Sequence, residues 1–110
     1  MPQITVDYSA PLDRRGLALA LHALVAEVTG APVTACATRF REVEETVTGD
    51  GSVDRAVVHA HIALPWGQYD ETKSRLTKAA LPLLSRHLKT SDRVRLSVEV
   101  RDLDASYRTG

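Results

Sequence analysis

The fold class this chain predicts is α+β, built as two consecutive βαβ units, and three observations carry that expectation. Three short segments alternate apolar and polar residues with a period of two, and two longer segments place apolar residues at helical spacing. The order strand, helix, strand then occurs twice, in halves spanning residues 1–48 and 53–103, around the connection Gly49-Asp50-Gly51-Ser52. A single domain covering residues 1–110 accounts for the whole chain.

The first alternating segment sets Ile4, Val6 and Tyr8 against Gln3, Thr5 and Asp7, a strand with one buried face, and Ser9-Ala10-Pro11 stops it. From Asp13 onward, Leu17, Leu21, Leu24, Val25 and Val28 fall on one side of a helical wheel. Gly30 and Pro32 end that helix. Residues Ala35 to Val47, rich in Thr, Val and Phe, predict a long second strand that closes in the glycine-containing turn at 49–52. The second half opens with Val58, Ala60, Ile62 and Leu64 alternating with Val57, His59, His61 and Ala63, up to Pro65-Trp66-Gly67. Asp70 to Lys89 predict a second helix with Leu76, Ala80, Leu83, Leu84 and Leu88 inward. Pro82 lies inside it and removes the hydrogen bond to the Lys78 carbonyl, so a kink or an earlier end is expected there. Val94, Leu96, Val98 and Val100 alternate with Arg95, Ser97, Glu99 and Arg101 to give the fourth strand. Right-handed crossovers place both helices on one face of a four-stranded sheet. The other face carries Val57 and Ala63, which argues that a second copy of the chain covers it.

Composition narrows the function classes. The chain has 110 residues, 44% hydrophobic and 25% charged, which suits one folded domain rather than a disordered one. No apolar run approaches the roughly 18 residues of a membrane-spanning helix. The first residues lack the basic start and apolar stretch of a secretory signal, and the single Cys36 fits a reducing cytoplasm. Fourteen basic residues balance fourteen acidic ones, so the electrostatic footprint of a nucleic-acid binder is missing. A cytoplasmic enzyme or module, with neither nucleic acid nor membrane as partner, is expected.

Few side chains remain as candidates for chemistry. Removal of Met1 would leave Pro2 as a terminal secondary amine on the first strand, and such a nitrogen accepts a proton. An ordinary terminal amine titrates near ~8, and burial or neighbouring cations lower that value by disfavouring the charged form. The alternative is that Pro2 only stiffens the start of a strand. Arg39 and Arg41, two apart on a strand, leave the sheet on the same side and could grip a carboxylate with their planar forks. The alternative there is a solvated face paired with Glu42, Glu44 or Glu45. His59 and His61 share a face but make at most half a metal site, so packed or interface histidines are expected. Cys36 is expected as a small core residue. The glycines lack nucleotide-loop spacing, and Ser9, Ser52 and Ser85 lie in no nucleophile elbow.

Taken together, these segments resemble the tautomerase superfamily of amino-terminal proline enzymes, and within it the 5-carboxymethyl-2-hydroxymuconate isomerases. The resemblance spans nearly the whole chain. It rests on the Met1-Pro2 start with its strand and Ser9, the Thr29-Gly30 break, Arg39-Phe40-Arg41, and Val58-His59 in the third strand. Gly67 and the closing run Leu96-Ser97-Val98-Glu99-Val100-Arg101-Asp102-Leu103 complete it. It implies a homotrimer in which three sheets enclose a barrel and six helices lie outside. It further implies that Pro2, freed of Met1, is general base and acid for an unsaturated 2-hydroxy carboxylate. Arg39 would bind and polarise the substrate carboxylate beside the proline, lowering its pKa, with Arg41 flanking it. No cofactor and no metal are needed for such a proton transfer. Where the family carries an arginine after the turn glycine this chain has Gln68, which can hydrogen-bond a carboxylate but not neutralise it. That favours, as alternatives, a smaller 2-hydroxydienoate or an arylenolpyruvate as substrate. A non-catalytic ferredoxin-like binding or assembly module has the same element order and is the alternative from a different class.

Overall fold

In the computed structural model, which describes residues 1–54 and 56–110, the expected order of elements is present. β1 spans Gln3–Tyr8, α1 Arg14–Thr29, β2 Ala37–Glu42, β3 Val57–Leu64, α2 Asp70–Arg86 and β4 Arg95–Asp102. The strands form one mixed sheet in the order β2-β1-β3-β4. β1 runs parallel to β2 and antiparallel to β3, which runs parallel to β4. β2 and β4 are therefore the edges, and they point in opposite directions.

Alternation decides which face is dry. Ile4 and Val6 of β1 and Val58, Ala60, Ile62 and Leu64 of β3 have no exposed surface. They pack with Leu17, Leu21 and Val25 of α1 and Leu76, Ala80 and Leu84 of α2 into one core. Both helices thus cover the same face. Phe40, whose Cα pairs with Val6, lies on this side and meets the Tyr8 ring edge-on, the centroids 6.2 Å apart. His22 of α1 adds a polar contact to the edge strand, its Nε2 2.8 Å from Thr38 Oγ1.

Local chemistry sets the ends of the helices. Asp13 caps α1, its carboxylate accepting from the Gly16 N–H at 3.1 Å. Gly30 ends it with φ of 78°, a left-handed conformation that glycine adopts without steric cost. α2 runs through Pro82 and ends at Arg86, four residues beyond the proline and three short of the expected Lys89. Pro82 and Lys78 are both exposed, so the Lys78 carbonyl freed by the missing N–H lies toward water, and the helix persists. After Arg86 the chain pairs instead with the segment before α1: Asp13 N–H bonds His87 O at 2.8 Å and Lys89 N–H bonds Pro11 O at 2.9 Å.

One expectation needs correction. The second strand is shorter than residues 35–47: Val33–Ala35 form a 3-10 turn, β2 stops at Glu42, and Val47 makes only an isolated bridge to Val53. Thr48, Asp50 and Ser52 hold that turn through their own side chains, with Asp50 Oδ1 accepting from Ser52 N–H at 3.0 Å. The open sheet face, where a covering copy is expected, carries mostly polar side chains. Ala63 is 5% exposed, and Leu103 and Tyr107 from the chain beyond β4 border the same hollow. Elsewhere the face is built from Gln3, Thr5, Asp7, Ala37, Arg39, Arg41, His59, His61, Arg95, Ser97, Glu99 and Arg101, according to the strand register. Val57, the other residue that suggested cover, is only partly exposed at the far end of β3.

Leu21→Ala, in the fully buried core, is expected to lower unfolding free energy by about 2–5 kcal/mol. Leu19→Ala on the exposed side of the same helix should change it by about 0.5 kcal/mol or less. Urea denaturation of the two variants checks the orientation of α1.

Candidate active site

Strand directions gather the sequence-predicted residues at one end of the sheet. β1 begins there, β2 begins beside it, and β3 and β4 end there. Pro2 is fully buried on the helix side, one residue before the Gln3–Ala37 pair, and its carbonyl accepts from the Ala37 N–H at 3.3 Å. Met1 is about half exposed. Cys36, which precedes Ala37, is the neighbour that sequence reasoning took only as core. It packs at the edge of the core and is partly exposed. Burial pushes its thiol pKa up, against the opposing pull of the positively charged amino terminus. That terminus and Cys36 are close enough to interact, which the strand register alone brings about.

Arg39 and Arg41 do share a face, as their spacing requires, but it is the open one, opposite the Pro2 ring. By the alternation that runs from Pro2 through Gln3 and Ile4, Pro2 falls on the helix side and Arg39 on the open side. The two arginines also differ. Arg41 forms a two-pronged ion pair with Asp7, at 2.7 and 3.1 Å, rather than with Glu42, Glu44 or Glu45. Arg39 donates to neutral oxygens, Gln3 Oε1 at 3.0 Å and Thr5 Oγ1 at 3.5 Å. Its positive charge has no carboxylate within hydrogen-bonding reach among the described residues. Because its Cα pairs with Thr5, the contact to Gln3 means that Arg39 leans toward the end where Pro2 lies.

Gln68 belongs to the same end. Its amide donates to Pro65 O at 2.9 Å inside its own turn. The turn is held from below by Asp102, which accepts from the Gly67 N–H at 3.0 Å and pairs with Lys73 Nζ at 3.3 Å. The Gly67 N–H, with Lys73 adding to it, keeps the Asp102 carboxyl below its usual range. Trp66 and Tyr69 flank this turn and are largely exposed. Asp102 entered the sequence reading only as part of the closing run, and its hold on this turn comes from Gly67 and Lys73, distant in the chain.

The open face at this end is hollowed into a cavity of about 520 Å³ bordered by Gln3, Arg39, His61, Arg101 and Tyr107. His59 and His61 both lie on this face and bind no common ligand set: among the described residues no three His, Cys, Asp or Glu side chains converge as metal ligands do. His59 Nδ1 is 2.6 Å from Ser97 Oγ. His61 Nε2 is shielded from solvent and has no hydrogen-bond partner among the described residues. Burial pushes the His61 pKa below its ordinary 6.5, with Arg101, His59 and Arg41 acting in the same direction and Glu99 against. A larger hollow of about 790 Å³ lies at the opposite end of the sheet, between the 48–54 turn and Arg93–Arg95, and contains none of the candidate residues.

No family model matches the chain, and no curated protein matches it in sequence. Solved structures do. The chain superposes over 99% of its length on 88% of a 5-carboxymethyl-2-hydroxymuconate isomerase from Deinococcus radiodurans R1, with a TM-score of 0.79 and 23% identity. It covers 85% of a fused 4-OT wild-type symmetric trimer with 92% of its own length, at TM-score 0.73 and 25% identity. A macrophage migration inhibitory factor-like protein from Entamoeba histolytica gives a TM-score of 0.71 at 16% identity, with 93% of this chain on 88% of that one. These are tautomerase-superfamily structures, and this chain has their fold. No helix in it is long and apolar enough to cross a membrane.

The depressed pKa of His61 has a consequence for stability. The unfolded chain takes up this proton at higher pH than the folded one, so the contribution is fully present above pH 6.5 and declines as pH falls through that value. His22, also lowered by burial, acts in the same window. Melting temperature should therefore fall between about pH 7 and 5, and His61→Gln should shallow that slope without removing it. Calorimetric scans of both proteins across this range provide the check.

Proposed function

We propose that this protein is a cofactor-free keto–enol tautomerase whose base is the amine of Pro2 after removal of Met1. The observation that carries this reading is the fully buried Pro2 at the start of an interior strand, in a fold shared with a 5-carboxymethyl-2-hydroxymuconate isomerase structure. An amine released at so desolvated a position loses preference for its charged form, which leaves a larger fraction of neutral base at pH 7. The substrate is a small unsaturated 2-hydroxy carboxylate such as 5-carboxymethyl-2-hydroxymuconate. Pro2 nitrogen accepts the 2-hydroxyl proton, the electron pair moves through the conjugated system, and a proton is delivered to a distant carbon. The product is the conjugated 2-oxo isomer, with no net gain or loss of atoms.

Arg39 binds the substrate carboxylate. Its support is electrostatic: it is hydrogen-bonded only to neutral oxygens, whereas Arg41 is committed to Asp7 and serves as a flanking charge. Since Arg39 and Pro2 of one chain fall on opposite sides of the sheet, an arginine from a neighbouring chain would satisfy the same geometry, and a homotrimer would supply it. The trimer finds support in the symmetric trimer among the similar structures, not in the polar open face. Gln68 contacts the substrate through its amide once it releases Pro65. The cell compartment is the cytoplasm, as the lone cysteine suggests.

Ultraviolet-monitored ketonisation of a panel of dienols, with the amino terminus defined by mass spectrometry, tests this function. Protein beginning at Pro2 should be active, with a rate rising through an apparent pKa below the ~8 of an ordinary terminal amine. Full activity in protein that keeps Met1 on every chain would return Pro2 to a structural role. Arg39→Ala should slow turnover of an anionic dienol roughly ten- to a hundredfold, as loss of a charged hydrogen bond does, and Arg41→Ala much less. Gln68→Arg should raise use of a diacid relative to its monoacid analogue, read from the ratio of kcat/KM values.

A further inference from the structure

We propose that Asp102 is a positioning residue for Gln68: its carboxylate, fixed at the end of β4, locks the turn 65–69 and so sets where the Gln68 amide is presented to substrate. The proposal rests on the tautomerase reading above and deepens it by naming what holds an uncharged binding group in place.

The turn has little to hold it from within. It joins Leu64, the last residue of β3, to Asp70, the first of α2, and Pro65, Trp66, Gly67 and Tyr69 are all exposed while Gln68 is half-buried. None of its side chains belongs to the core. Tyr69, at the position that caps α2, makes no side-chain hydrogen bond to the helix. The side-chain tie within the turn is the bond from the Gln68 amide to Pro65 O. That bond breaks when the amide turns to a ligand, so the turn then depends on contacts from outside it.

Asp102 supplies such a contact from a rigid place. Its Cα pairs with Leu64 across the sheet, and the N–H of the next residue, Leu103, bonds Leu64 O at 2.6 Å. Its Oδ2 accepts from the N–H of Gly67, which takes a left-handed conformation with φ of 99°. Its Oδ1, shielded from solvent, faces Lys73 Nζ of the first turn of α2 at 3.3 Å. One carboxylate thereby joins β4, the turn and α2. The Gly67 N–H keeps that carboxyl below its usual range against the opposing effect of burial, with Lys73 and the Gln68 N–H assisting. It is therefore charged at pH 7, and a charged acceptor makes the stronger hydrogen bond. The Gln68 side chain can then leave Pro65 O while the backbone that carries it stays where Asp102 holds it. Without the carboxylate, residues 65–69 would have to be ordered at the moment of binding, which weakens binding by the entropy lost.

The test uses the chain beginning at Pro2 and reads the lock and its action on binding separately. Amide hydrogen exchange followed by NMR should find the Gly67 N–H protected in the wild type, less protected by about tenfold or more in Asp102→Ala, and intermediate in Asp102→Asn, which keeps an acceptor oxygen but not the charge. In steady-state ketonisation of a dienol, Asp102→Ala should raise KM roughly two- to tenfold, as loss of one neutral hydrogen bond does, with kcat changed less. The same substitution in a Gln68→Ala background should leave KM where Gln68→Ala alone puts it. Unchanged Gly67 protection in Asp102→Ala with native circular dichroism would overturn the lock. A full KM effect of Asp102→Ala in the Gln68→Ala background would overturn its action through Gln68. If Asp102→Ala does not fold, Asp102→Asn carries both comparisons. Failure of the tautomerase reading is separately visible as absence of dienol ketonisation by wild-type protein that begins at Pro2, and the exchange comparison still decides the lock.

Discussion

Everything in this molecule depends on the water-free contact between one face of β1 and β3 and the two helices. Six residues of these strands reach zero exposure there, and each of the five larger than alanine contributes on the order of 1.5–3 kcal/mol. Because side chains alternate, that contact also dictates the opposite face. A slip of one residue in β1 would carry Gln3, Thr5 and Asp7 into the core and Ile4 and Val6 into water. Register is therefore strongly specified, and with it the relative positions of Pro2 and Arg39.

The same constraint assigns two different environments to the two ends of the proposed chemistry. Pro2 belongs to the apolar side, where desolvation acts on an amine. Arg39 belongs to the polar side, where a guanidinium group keeps its hydration until an anion arrives. An active centre that needs both must use the strand end, where the sheet stops separating them, or the surface of another copy. That requirement gives association of chains a chemical reason, independent of any apolar patch.

Much of this architecture was legible in the sequence because it is local. The alternation of β1, β3 and β4, the helical spacing of Leu17, Leu21 and Val25, and the Gly30 stop each express a property of a few neighbouring residues, and each appears in the fold. The misread segments are those where distant contacts decide. β2 ends at Glu42, opposite the point where β1 stops at Tyr8, and the Val and Thr of residues 43–47 do not extend it. The Pro82 position was read correctly as a lost hydrogen bond, but whether that ends a helix depends on solvent reaching the Lys78 carbonyl. In the candidate site, the shared face of Arg39 and Arg41 follows from their spacing. Asp7 as the partner that distinguishes them comes from another strand, as do the proximity of Cys36 to the amino terminus and the hollow beneath Tyr107. No local pattern announces these.

The opposed directions of the edge strands bear on how this protein avoids uncontrolled polymerisation. Exposed edges are templates for further strands, and natural proteins blunt them with charge. On β2 that charge is of one sign along the open face, Arg39 and Arg41, so two β2 edges brought together would set arginine against arginine. β4 carries mixed charge, with Glu99 between Arg95 and Arg101. A β4 edge meeting β2 of another copy would run antiparallel to it and offer a carboxylate among the cations. A pair of β2 edges is thus disfavoured relative to β2 meeting β4. Head-to-tail joining of unlike edges is the arrangement that closes into rings when the rotation between copies divides a full turn, and grows into fibres when it does not.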